Sequence, residues 1–111
     1  MAAAQAARPA PANAARGEAA IVIGGETLRL RPSFAALVAA EAELGPLFAL
    51  VERAAAGGLM LSELAGLFWH CLDGAPPGLT RTVFSEGLVD AGLASATPAL
   101  RVLLGQVLAG R

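Results

Sequence analysis

The chain has 111 residues, with eight Arg, no Lys and nine Asp or Glu, for a net charge of −1. Such a balance builds no basic field for sequence-independent phosphate binding, so nucleic acid is not an expected partner. The lone Cys71 cannot form an internal disulfide, which excludes a disulfide-stapled scaffold.

Hydrophobic residues make up 56% of the chain, and alanine alone supplies 27 of them. Leu, Ile, Val and Phe supply 31, enough to build a core and to argue against disorder of the whole chain. Charged residues interrupt every apolar run well before the roughly 18–20 residues that a membrane span requires. The composition predicts a soluble protein with no membrane segment.

Residues 1–16 contain Ala, Pro, Gln, Asn and two Arg but no branched apolar side chain. Nothing there offsets the entropy of ordering, so a disordered Ala/Pro-rich tail is expected. It has neither the charged start nor the Leu-like stretch of a secretory signal. Residues 17–111 are expected to form a single small helical domain that opens with a hairpin at 18–31.

In that hairpin, Ala20-Ile21-Val22-Ile23 is mostly β-branched, and Thr27-Leu28-Arg29-Leu30 alternates with period two. Gly24-Gly25 supplies a two-residue turn that tolerates positive φ. That turn sets a register: Ile21 opposite Leu28 and Ala19 opposite Leu30 on one side. On the other side Val22 meets Thr27 and Ala20 meets Arg29, with Glu18 and Arg31 as an opposite-charge pair. An isolated hairpin is marginal in water, so its Ile21/Leu28 face must rest on helices.

The period then changes. Ser33 is the expected N-cap of a helix carrying Phe34, Leu37, Val38 and Leu44, stopped by Gly45. A second helix runs from Pro46 to about Ala56, with Leu47, Leu50, Val51 and Ala54 on one side. The third is expected to be capped by Ser62 and to reach Asp73, followed by a loop at Gly74-Ala75-Pro76-Pro77-Gly78. Thr80 caps a fourth, with Val83, Phe84, Leu88 and Ala91, ending at Gly92. Thr97-Pro98 reads as the start of a last helix with Leu100, Leu103, Leu104 and Val107. The fold class is thus mainly α: an N-terminal β-hairpin and about five short packed helices. One phenyl ring falls on each of the first four helices, at Phe34, Phe48, Phe68 and Phe84.

Little here can carry covalent chemistry. There is no phosphate loop, no Gly-x-Ser-x-Gly, no Cys-x-x-Cys and no His-Glu-x-x-His. His70 and Cys71 are adjacent, so on a helix they diverge by about 100° and cannot share a metal. His70 falls on the polar side of its helix with Ser62, Glu63, Gly66 and Asp73, and Cys71 on the apolar side. The sequence predicts no enzyme, no metal and no cofactor.

Two features stand out as candidate sites. Glu41 projects onto the apolar face of the first helix, opposite to Glu43. A carboxylate held there needs a cation or donors, which predicts an ion pair with one of Arg29, Arg31 and Arg53; the alternative is that it reaches water at the helix end. Leu67 and Trp69 flank the apolar face of the third helix and widen it to roughly 200°, where a surface helix needs about 100°. Either neighbouring helices cover both flanks, or Leu67 and Trp69 form a partner-binding surface, since Trp is enriched in binding hot spots. Val102 and Leu108 lie outside the main stripe of the last helix and raise the same possibility.

The order of these features resembles a known family. Arg16-Gly17-Glu18 leads into the Ile21–Leu30 hairpin and the Leu30-Arg31-Pro32-Ser33-Phe34 junction. Glu41-x-x-Leu44-Gly45 and Leu67-x-x-His70-Cys71-Leu72 follow. This pattern is similar to the small gene transfer agent proteins related to phage tail-assembly proteins, over about residues 16–110. The resemblance implies a non-enzymatic tail-assembly chaperone that keeps the tape-measure protein soluble and helps recruit the tail tube protein. It places the chain in the bacterial cytoplasm. The alternatives are a structural component of the tail tube, found in tail particles, or an unrelated helical adaptor.

Overall fold

A computed structural model describes residues 17–109; the expected tail at 1–16 lies outside the described residues. The described residues open with two strands, β1 (Ala19–Ile23) and β2 (Glu26–Leu30), joined at Gly24-Gly25 with φ of 61° and 80°. Both values lie where a side chain is strained and glycine is not, which is what a two-residue turn matching the twist of a hairpin demands. The register pairs Ile21 with Leu28, Ala19 with Leu30, Val22 with Thr27 and Ala20 with Arg29, as the period-two pattern requires. Beside it, Arg31 Nε lies 4.0 Å from Glu18 Oε2.

Among the described residues five helices follow: α1 (Phe34–Leu44), α2 (Leu47–Ala55), α3 (Leu61–Cys71), α4 (Arg81–Ala91) and α5 (Leu93–Ala109). Two start where a hydroxyl can accept an otherwise unpaired amide. Ser33 Oγ takes the N–H of Ala36 at 3.2 Å, and Thr80 Oγ1 takes that of Val83 at 3.2 Å. α1 closes at Gly45 (φ 88°), whose N–H returns to Glu41 O.

Three boundaries differ from expectation. α3 begins one residue before Ser62, with Met60 at the cap. Glu63, on the third helical residue, accepts the Met60 N–H at 3.0 Å, so the cap needs no hydroxyl of its own. α5 starts directly after Gly92, not at Thr97, and Pro98 lies inside it. The Ser95 hydroxyl donates to Gly92 O at 2.7 Å and holds the first turn, and the buried Ala96 and Ala99 anchor the segment around the proline. Finally, α3 stops at Cys71, because Leu72–Asp73 forms a short strand, β3, antiparallel to β2. The sheet therefore has three strands in the order β1-β2-β3.

Along β1 and β2 the side carrying Ala19, Ile21, Leu28 and Leu30 is buried, while Ala20, Val22 and Thr27 on the other side are exposed. The buried side meets the helices: α4 and α5 pack on β1, and α1 packs on α3. Leu30, Leu50, Leu67, Phe68, Phe84, Leu88 and Leu103 are the large residues sealed at the centre. Each such side chain contributes on the order of 1.5–3 kcal/mol by leaving water. Among the described residues, no single helix is long and apolar enough to cross a membrane.

Candidate functional site

Glu41 is the first candidate the structure corrects. Its Oε2 accepts the backbone N–H of Leu47 at 3.1 Å, so the carboxylate caps the start of α2 across the Gly45-Pro46 corner. A carboxylate at a helix N-terminus is stabilised by the unpaired amides and the helix dipole. The three arginines named as partners go elsewhere: Arg29 to Asp73 on the β2–β3 pair, Arg31 to Glu18, and Arg53 to Glu63. Each of these acids is brought in by sheet pairing or helix packing, whereas Glu41 lies beside an unsatisfied helix end.

The flank of α3 is also mostly covered. Leu67 is 1% exposed and belongs to the core, which removes it as a binding residue. Trp69 is half-buried, with its ring 5.9 Å from that of Phe84 and tilted by 52°, so α4 covers much of that flank. Val102 is half-buried against the same core; Leu108 is exposed near the end of α5.

The polar side of α3 carries a junction that the sequence alone does not reveal. Glu43 of α1 places Oε1 2.7 Å from His70 Nε2 and 2.7 Å from Arg81 Nη1, and Oε2 accepts from Arg81 Nη2. Facing a carboxylate, Nε2 must carry the proton. One acid thus ties α1 to α3 and α4, and His70 is bonded rather than simply solvated. Gly66 makes the space: a Cβ there would lie 2.9 Å from Arg81 Nη2 and 3.3 Å from Glu43 Oε2. The Arg81 hydrogen bond, with that of His70 second, pulls the Glu43 carboxyl down to about 2, and the same contact raises Arg81. Glu43 sits on the outward side of a helix, so only the approach of residues 27 and 38 positions away distinguishes it from a solvated surface acid.

The single thiol, Cys71, is buried and poorly placed for nucleophilic chemistry. Burial pushes the Cys71 thiol up to about 12, so almost none of it is thiolate at neutral pH. Among the described residues no three His, Cys, Asp or Glu side chains gather where they could hold a metal ion.

The surface instead exposes large apolar side chains. Phe34 is 86% exposed and Phe48 69%, against 0% for both Phe68 and Phe84. The expectation of a buried apolar face on α1 and α4 is corrected at Phe34, Val38 and Val83, all of which face solvent. For Phe34 the reason is its place as the first residue of α1, at the outer end of the helix. Val38, one turn on, continues the same ridge, and Leu61, Val89 and Leu93 add exposed positions on other helices.

No curated protein and no solved structure matches the chain. A protein-family model does, described as phage tail tube protein, GTA-gp10, and it spans residues 16–110. That range includes both sheet and helices, so the chain belongs to this gene transfer agent and phage tail family.

Proposed function

We propose that the chain acts without covalent chemistry as a tail-assembly chaperone. It binds the tape-measure protein by reversible burial of apolar helix surface and takes the tail tube protein as a second partner, in the bacterial cytoplasm. The observation that carries this reading is the pair of exposed rings, Phe34 and Phe48. A phenyl ring left in water forgoes on the order of 2 kcal/mol of burial. Two such rings on neighbouring helices, with Val38 one turn on from Phe34, leave apolar area for a partner to cover. The buried, protonated Cys71 thiol supports a binding rather than a nucleophilic role.

A second reading follows from the family's own description: a structural tail tube component, in which the same rings make permanent subunit contacts. Purification separates the two. A chaperone copurifies with the tape-measure protein from lysates and is missing from finished particles. Stoichiometric recovery of the chain in purified particles would overturn the chaperone reading in favour of the structural one.

A further inference from the structure

The outer ridge of α4 separates two grooves, and the same two carboxylates, Glu86 and Asp90, line both. On the α3 side lies a groove of about 660 Å³, walled by Leu61, Ala65 and Val89. On the hairpin side a groove of about 580 Å³ is walled by Leu28, Leu79 and Val83, and Glu26 adds a third carboxylate. Leu61, Val83 and Val89 all stand exposed to solvent.

The charges are one-sided. Among the described residues, the ion pairs involve Glu18, Glu43, Glu63 and Asp73, and none involves Glu26, Glu86 or Asp90. Arg81, the basic residue on the α3 side, is committed to Glu43. Apolar strips edged by unneutralised carboxylates attract a cationic occupant and oppose an anionic one.

We infer that the α4 ridge docks an apolar helical segment of a partner protein that carries Arg or Lys beside its apolar stripe. Apolar side chains of the segment enter the grooves, and its cations meet Glu86 and Asp90 from above, with Glu26 at the hairpin end. The general mode is an amphipathic helix in a groove. The inference rests on the polypeptide-binding role proposed above and adds to it a face and a sign of charge.

Two synthetic helical peptides with identical Leu positions test it on the full chain, one with Arg and Lys on the polar face and one with Glu. Binding is read by fluorescence anisotropy of the labelled peptides. The basic peptide is expected to bind about tenfold more tightly than the acidic one, with a preference that shrinks as salt rises. The double substitution Glu86→Lys/Asp90→Lys should reverse the preference while the circular dichroism spectrum stays unchanged, both residues being exposed. Equal affinity for the two peptides, or a preference that survives the double substitution, would overturn the inference. Equal affinity that disappears in Phe34→Ser/Phe48→Ser would do so while leaving the polypeptide-binding role standing. Self-association abolished by Glu86→Lys/Asp90→Lys would make a second copy the occupant and likewise overturn it.

Discussion

The α3–α4 pair and the α1–α2 pair are built from similar residues at similar spacing, yet they treat their aromatic rings in opposite ways. Phe68 and Phe84 are sealed, with Trp69 laid against Phe84, whereas Phe34 and Phe48 stand in solvent. The difference lies in what covers each helix. α4 packs on both β1 and α3, so its inner side and that of α3 are enclosed from several directions. α1 and α2 meet at a 77° corner, and each carries an exposed ring in its first turn. Rings of the first kind hold the fold together, and rings of the second kind are available to a partner.

The comparison breaks most sharply under truncation. Phe68→Ala or Phe84→Ala should lose about 3–5 kcal/mol of stability in denaturant unfolding, from lost burial and the cavity left behind. Phe34→Ala and Phe48→Ala should stay within about 0.5 kcal/mol of the parent chain and instead weaken binding of the proposed tape-measure partner. A loss above about 2 kcal/mol at Phe34 would move that ring into the core and end the contrast.

A smaller effect tests how tightly the enclosed side is packed. A Cβ on Gly87 of α4 would overlap Ile23 Cγ2 on β1. Gly→Ala in a helix ordinarily gains up to about 1 kcal/mol, but overpacking against a stiff β-branched side chain costs about 1–3 kcal/mol. Gly87→Ala should therefore be net destabilising by about 1 kcal/mol. Adding Ile23→Ala should recover part of that loss, so that a double-mutant cycle shows coupling between the two sites.

The smallest effect concerns the junction that joins the two pairs. The folded-state carboxyl of Glu43 lies at about 2, below its ordinary value of 4.5. Its contribution is thus present above about pH 4.5 and is lost as the pH falls toward 2. Because the side chain is 37% exposed, solvent screening limits that contribution to under about 1 kcal/mol. Unfolding of Glu43→Gln followed between about pH 5 and pH 2 should show a shallower loss of stability than the parent chain. Parallel curves for the two proteins would mean that the junction carries no net stability.

Legibility followed the range of the interaction concerned. The hairpin register was readable because Gly24-Gly25 and the alternation on both sides of it are local and agree with one another. The starts at Ser33 and Thr80 were readable because one hydroxyl and three following residues specify a cap. The start of α3 was not, since Glu63 replaces the cap hydroxyl from within the helix. The site was less legible than the fold. Leu67 and Trp69 were visible as a broad apolar face, but only the position of α4 shows that this face is largely covered. Glu41 and Glu43 exchanged roles: the acid on the apolar face caps α2, and the outward one gathers His70 and Arg81.

Sequence alone determined the mainly helical class, the hairpin with its pairing, and the absence of any apolar run long enough to span a membrane. These follow from periodicity, turn chemistry and composition, all of which act over a few residues. Tertiary structure alone decided that Leu72–Asp73 joins the sheet, that two of four phenyl rings are sealed, and that Glu86 and Asp90 edge two grooves. Each of these depends on which distant element arrives on a given face, and helical spacing specifies a face without specifying what covers it.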